Sequence, residues 1–143
     1  MKNSLIIILF SYFFLQSLSL AQNFKFETTN IEILESGNLI YATKGKATSS
    51  DGDIEIDAKN FEYNKELATL KAEGDGLAFI NSENIKIEFD NALIDENKLT
   101  FNANGNIKII ELEKNFIIET ESVIYDKGNR FIKSSTKTMM KDN

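Results

Sequence analysis

Apolar and polar residues alternate with a period of two along most of the chain from residue 24 onward. Phe24-Lys25-Phe26-Glu27, Ile54-Glu55-Ile56-Asp57, Ile85-Lys86-Ile87-Glu88-Phe89 and Ile107-Lys108-Ile109 each put apolar side chains on one face of an extended strand and charges on the other. Between these runs stand Glu35-Ser36-Gly37-Asn38, Ser49-Ser50-Asp51-Gly52-Asp53, Glu73-Gly74-Asp75-Gly76, Asp95-Glu96-Asn97, Asn102-Ala103-Asn104-Gly105-Asn106 and Asp126-Lys127-Gly128-Asn129. All are rich in turn formers: Gly accepts positive φ, and Asn or Asp bonds its own backbone. The spacing predicts an all-β sandwich, jelly roll or related stacked sheet in one domain, with little room for a helix.

The same pattern recurs every 31 residues. Tyr63, Ile94 and Tyr125 align, as do Ile54, Ile85 and Phe116, then Ile56, Ile87 and Ile118, then Phe61, Ala92 and Val123. Polar places keep the register too, with Asn64, Asp95 and Asp126 following the aligned Tyr/Ile/Tyr. Gly74 and Gly105 recur at an expected turn, where Thr136 stands in the third copy. A fainter first copy runs through Phe24, Phe26, Ile31 and Ile33 to Ala42 and Gly45, with one extra residue expected near Ser36-Gly37. A single unit of this size cannot bury its apolar face alone, so the copies are expected to stack into one continuous core. Residues 134–143 lose the alternation and read as a frayed end or the start of a further segment.

Residues 1–21 carry one charge, Lys2, then an apolar run from Leu5 to Leu15 and the small residues Ser19 and Ala21. This is the layout of a cleaved export signal; the alternative is a retained anchor. Residues 22–143 form the expected domain. Losing Lys2 takes the net charge from −6 to −7. An acidic surface without a basic cluster argues against nucleic acid as a partner. Absence of Cys, His and Trp removes thiol and imidazole chemistry and Cys/His zinc sites. No paired carboxylates stand out from the 22 spread along the chain, so neither a catalytic site nor an enzyme is expected. Asp51, Asp53, Glu55 and Asp57 could turn oxygens toward a hard cation, but the run reads better as a solvated strand face, and no metal or cofactor is assigned.

The unit Ile54-Glu55-Ile56-Asp57-Ala58-Lys59-Asn60-Phe61-Glu62-Tyr63-Asn64-Lys65-Glu66, leading to Leu70-Lys71-Ala72-Glu73-Gly74, resembles the repeat of the OstA-type periplasmic domain of lipopolysaccharide transport. That resemblance spans roughly residues 24 to 136 and rests on strand and turn residues, not on a catalytic signature. It implies a twisted antiparallel β-jelly roll, open at both ends, in the periplasm. The interior would hold the acyl chains of lipopolysaccharide, with no cofactor. Partners would be other lipopolysaccharide-transport proteins with similar jelly rolls, joined through terminal strands, and head-to-tail copies of the chain itself. The chain would then be a stand-alone bridge or the amino-terminal part of an outer-membrane assembly protein.

Alternation places Ile54, Ile56, Phe61, Tyr63, Ile85, Ile87, Phe89, Ile94, Phe116, Ile118, Val123 and Tyr125 on the inner side, which the resemblance implies is the lipid-binding face. Glu55, Asp57, Glu62, Lys86, Glu88 and Glu119 fall on the opposite face. The same inner residues would equally make the filled core of a structural β-repeat module that binds partners through its edges and holds no lipid. Tyr41, Tyr63 and Tyr125 sit at strand ends or repeat-equivalent places, and packing is the expected role over sugar stacking.

Overall fold

The computed structural model describes Phe24–Asp142, and the predicted export signal lies outside the described residues. Seven long strands follow one another, β1 (Phe24–Leu34), β2 (Leu39–Ser49), β3 (Ile54–Asn64), β4 (Thr69–Ile80), β5 (Ile85–Asp95), β6 (Thr100–Glu111) and β7 (Phe116–Asp126), with β8 (Phe131–Lys133) and β9 (Met139–Asp142) after them. All pairing is antiparallel between sequence neighbours, except that β8 and β9 both pair with β7. Phe131–Lys133 faces Asp126–Ile124, and Met139–Asp142 faces Glu119–Phe116, so together they complete an eighth strand split in the middle. The segment that lost its alternation is therefore sheet at its far end. Between the two pieces, the Ser134 and Thr136 hydroxyls each lie 2.7 Å from the buried Thr120 hydroxyl, which holds the excursion onto β7.

The result is a twisted antiparallel β-jelly roll. Sheet pairing shifts register near mid-strand, between Asp57 and Asn60, Glu73 and Gly76, Glu88 and Asn91, and Asn104 and Ile107. A bulge bends its strand, and the aligned bulges form a fold line along which the sheet doubles over. Phe24 at the start of β1 meets Tyr63 at the end of β3 edge-on, with ring centroids 5.6 Å apart, and Phe26 meets Phe61 at 5.9 Å. The core lies between the two halves.

Two sequence expectations are corrected at this fold line. Gly74 and Gly105 sit inside β4 and β6, not at turns between strands; each has positive φ (83° and 78°) and is followed by a left-handed residue, Asp75 or Asn106. The local signal for a turn was real, but the extended residues on both sides pair with the same neighbouring strands, across a shift of register, so the chain kinks and continues. The extra residue expected in the first copy near Ser36-Gly37 is absent, since the turn at 35–38 is as long as those at 65–68 and 96–99; that copy departs from the others at the fold line instead. Pairing of β2 with β3 runs without a shift, so β2 lacks the inserted residue of β4 and β6, and the strands there approach so closely that a Cβ on Gly45 would collide with the Glu27 carbonyl.

Turns between strands form two rows that stack by hydrogen bonds. In one row Lys65 N–H donates to the Asn38 carbonyl (2.8 Å), Glu96 to Ala68 (3.0 Å) and Lys127 to Leu99 (2.9 Å); in the other Asn81 donates to Asp53 (2.9 Å) and Leu112 to Asn84 (3.0 Å). Ala68, Leu99 and Asn84 take left-handed φ of 52°, 55° and 52° to present those carbonyls. The repeated Asn64, Asp95 and Asp126 find their reason here. Each accepts the N–H three residues on, from Leu67, Lys98 and Asn129 at 2.9, 3.0 and 2.9 Å, and so closes its turn.

Candidate functional site

Sheet register turns the alternating pattern into apolar rows that cross the whole roll. One row reads Ile33, Ile40, Tyr63, Leu70, Ile94, Phe101, Tyr125 and Ile132, each opposite the next on the neighbouring strand. On the other side of the fold line a second row reads Phe26, Ala47, Ile56, Ala78, Ile87, Ile109, Ile118 and Met140. Beside the fold line Ala42, Phe61, Ala72, Ala92, Ala103 and Val123 form a row of mostly small side chains, which lets the halves close tightly.

Of the predicted face, Ile54, Ile56, Phe61, Tyr63, Ile85, Ile87, Phe89, Ile94, Val123 and Tyr125 are buried together in one core, and Ile118 packs against it half-buried. Phe116 is also half-buried, at the edge near β9. Glu55, Asp57, Glu62, Lys86, Glu88 and Glu119 keep contact with solvent on the outer face. Tyr63 and Tyr125 are core residues whose hydroxyls reach turn carboxylates, Glu96 at 3.4 Å and Glu83 at 3.3 Å, while Tyr41 stands exposed on the outer face. The carboxylate run divides: Glu55 pairs with Lys46 at 2.9 Å, and Asp51 and Asp53 turn toward Lys127.

The row through Ile33 ends in uncovered hydrocarbon on both sides, whereas the row through Phe26 does so only at Met140, Phe26 being packed half-buried on the core. Ile33 and Ile31 at one end are 59% and 53% exposed, and Ile132 and Met140 at the other are 37% and 70% exposed. Sequence reasoning stopped the candidate face short of these four. Pairing with the already assigned Tyr125 and Ile118 was the signal that extends it to Ile132 and Met140.

The two rows of turns also meet each other. Lys127, in the turn after β7, forms ion pairs with Asp51 and, at 3.3 Å, with Asp53, both in the turn after β2. Arg130 Nε donates to Glu83 Oε1 at 2.8 Å, in the turn after β4, and Tyr125 OH donates to the same oxygen. Hydrogen bonds from Lys127 first, then from Ser49, hold the Asp51 carboxyl down at about 2. Burial works against the Lys127 charge, yet Asp51 and Asp53 raise its pKa above the ordinary lysine value. Asp53 Oδ2 is buried and accepts no aligned hydrogen bond among the described residues, although the Lys127 ammonium lies close by. These clasping cations were invisible as a cluster in sequence because their partners lie 76 and 47 residues away.

No protein-family model matches the sequence, and no curated protein matches it in sequence. Among solved structures, the chain is similar to LptH of Pseudomonas aeruginosa, described as the LptA-homologous periplasmic component of the conserved lipopolysaccharide transport device. The TM-score is 0.68 at 9% sequence identity, over 85% of this chain and 96% of that one. At that identity the likeness establishes a common fold, the LptA-like jelly roll.

Proposed function

We propose that this protein is a periplasmic lipopolysaccharide-binding and transport module that carries acyl chains along its apolar inner face toward the outer membrane, without chemistry of its own. The observation that carries the reading is the run of apolar rows through every strand to exposed Ile31 and Ile33 at one end and Ile132 and Met140 at the other. A closed core ends in polar or covered residues; a conduit presents hydrocarbon at its mouths. Sheltering an acyl chain is worth about 0.8 kcal/mol per CH₂, which gives a lipid reason to stay inside.

Both terminal strands support joining of partners edge to edge. Among the described residues β1 pairs only with β2, and β8 and β9 pair only with β7, so each leaves a row of backbone groups open to a strand from a similar jelly roll or another copy of the chain. Such a contact is heterologous and grows head to tail.

One observation favours the second reading, a structural β-repeat module without lipid: Ile56, Leu70, Ile80 and Ile87 are fully buried, so the halves are tightly packed and must part to admit a chain. Photo-crosslinking separates the two. A benzophenone side chain placed at Phe61, Phe89 or Phe116, with Glu55 as an outward control, is expected to crosslink lipopolysaccharide at the inner positions alone. A folded protein that crosslinks at none of them is the structural module.

A further inference from the structure

A cavity of about 250 Å³ opens between the two rows of turns, lined by Ser49 and Asp51, by Leu99 and Lys127, by the carboxylates Asp95 and Glu96, which are engaged by Lys98 and by the Tyr63 hydroxyl, and by Ile54 and Ile94 as its apolar part. Ile54 and Ile94 are both members of the buried core. Core side chains thus help to line the cavity, with Lys127 also at its wall and already engaged by Asp51 and Asp53.

We propose that this cleft is a lateral entry site for the acyl chain of an anionic amphiphile, with Lys127 and Arg130 as the latch that exchanges its own carboxylates for the ligand's head group. The proposal rests on the lipid-carrying reading and adds where and how the lipid enters. Three features support it. The hydrogen bonds that stack turns run along each row, from Asp53 to Asn81 and from Leu99 to Lys127, so parting the rows from one another breaks none of them. What joins the rows is a handful of polar contacts: the Lys127–Asp51 and Arg130–Glu83 ion pairs, each with one partner well exposed (Asp51 at 53%, Arg130 at 66%) and so readily exchanged, the less exposed Lys127–Asp53 pair, and hydrogen bonds from Tyr125 to Glu83 and from Arg130 to the Ser82 carbonyl. A phosphate or carboxylate head group offers Lys127 and Arg130 new charge-assisted bonds in place of those they lose. The freed passage then puts hydrocarbon directly on Ile54 and Ile94.

The chain contains no cysteine, so Asp51→Cys with Lys127→Cys can be joined cleanly by a short bis-methanethiosulfonate linker, which forms a disulfide with each thiol as methanesulfinate leaves and is cut again by a reductant. The probe is cis-parinaric acid, which fluoresces in apolar surroundings, with its methyl ester as the uncharged comparison. Uptake is expected to slow at least tenfold when the staple is in place and to recover when it is cut. Equal uptake with and without the staple overturns the proposal and leaves the open ends as the route. The latch role is read separately with Lys127→Met/Arg130→Met, which is expected to erase the preference for acid over ester; a preference that survives overturns it. If the unstapled protein takes up neither probe, the lipid-carrying reading fails by itself. The latch is then judged by spin labels at Ser50→Cys and Leu99→Cys, whose separation should widen in the Met variant and whose constancy would refute the latch.

Discussion

Ile33 and Ile94 hold the same place in the repeat and the same place in one cross-strand row, yet Ile33 is 59% exposed and Ile94 is 3% exposed. The residue type and the strand phase are shared; what differs is the other half of the sheet, which doubles back over β5 and leaves the end of β1 bare. Burial in this roll is a property of position along the stack, and the same hydrocarbon is core in the middle and mouth at the end.

That contrast is broken most directly by truncation. Ile94→Ala removes buried methyl groups and is expected to lower unfolding stability by about 2–5 kcal/mol, whereas Ile33→Ala should stay within about 0.5 kcal/mol. Urea denaturation of both variants measures the difference, and equal losses would mean that the end of β1 is covered in solution. Crowding the fold line is the next largest effect. A Cβ at Gly45 would lie 2.1 Å from the Glu27 carbonyl oxygen, so Gly45→Ala is expected to cost about 1–3 kcal/mol as strands move apart. Gly52→Ala meets open space and tests whether proximity, not chain flexibility, is responsible, its remaining cost coming from φ +71°.

Turn closure comes third. Asp95→Ala removes the acceptor for the Lys98 N–H and is expected to cost about 1 kcal/mol. The corresponding position of the first copy is Leu34, which has no such acceptor, and Leu34→Ala should not reproduce that loss by this route. The smallest effect concerns pH. Asp51 is held below its ordinary value, so its contribution is fully present above about pH 4 and fades as pH falls through about 2. With the carboxylate half exposed, solvent screening keeps that contribution below about 1 kcal/mol. A comparison of wild type and Asp51→Asn between pH 4 and pH 2 should show the two stability curves converging, and parallel curves would remove the clasp as an energetic feature.

Much of this was legible from residue order. Period-two alternation needs only the pleat of a strand, so the inner faces of β3, β5 and β7 were readable before any contact was known, as was the repeat that brings Tyr63, Ile94 and Tyr125 into one row or its equivalents. The glycines at 74 and 105 were readable as sites of positive φ but not as bulges, because a kinked strand and a turn share the same local residues and differ only in whether the partner strand continues. Met139 and Met140 gave no alternation to read, and their strand exists because β7 offers an open edge opposite them.

The sequence alone determined the strands, their inward phase, the repeat and the absence of thiol and imidazole chemistry, since each follows from side-chain type and the geometry of adjacent residues. Only the tertiary structure decided which inner residues are covered, and which charges meet across the cleft. Those depend on where the sheet folds over itself, and that fold brings Asp51 against Lys127 and leaves Ile33 in water.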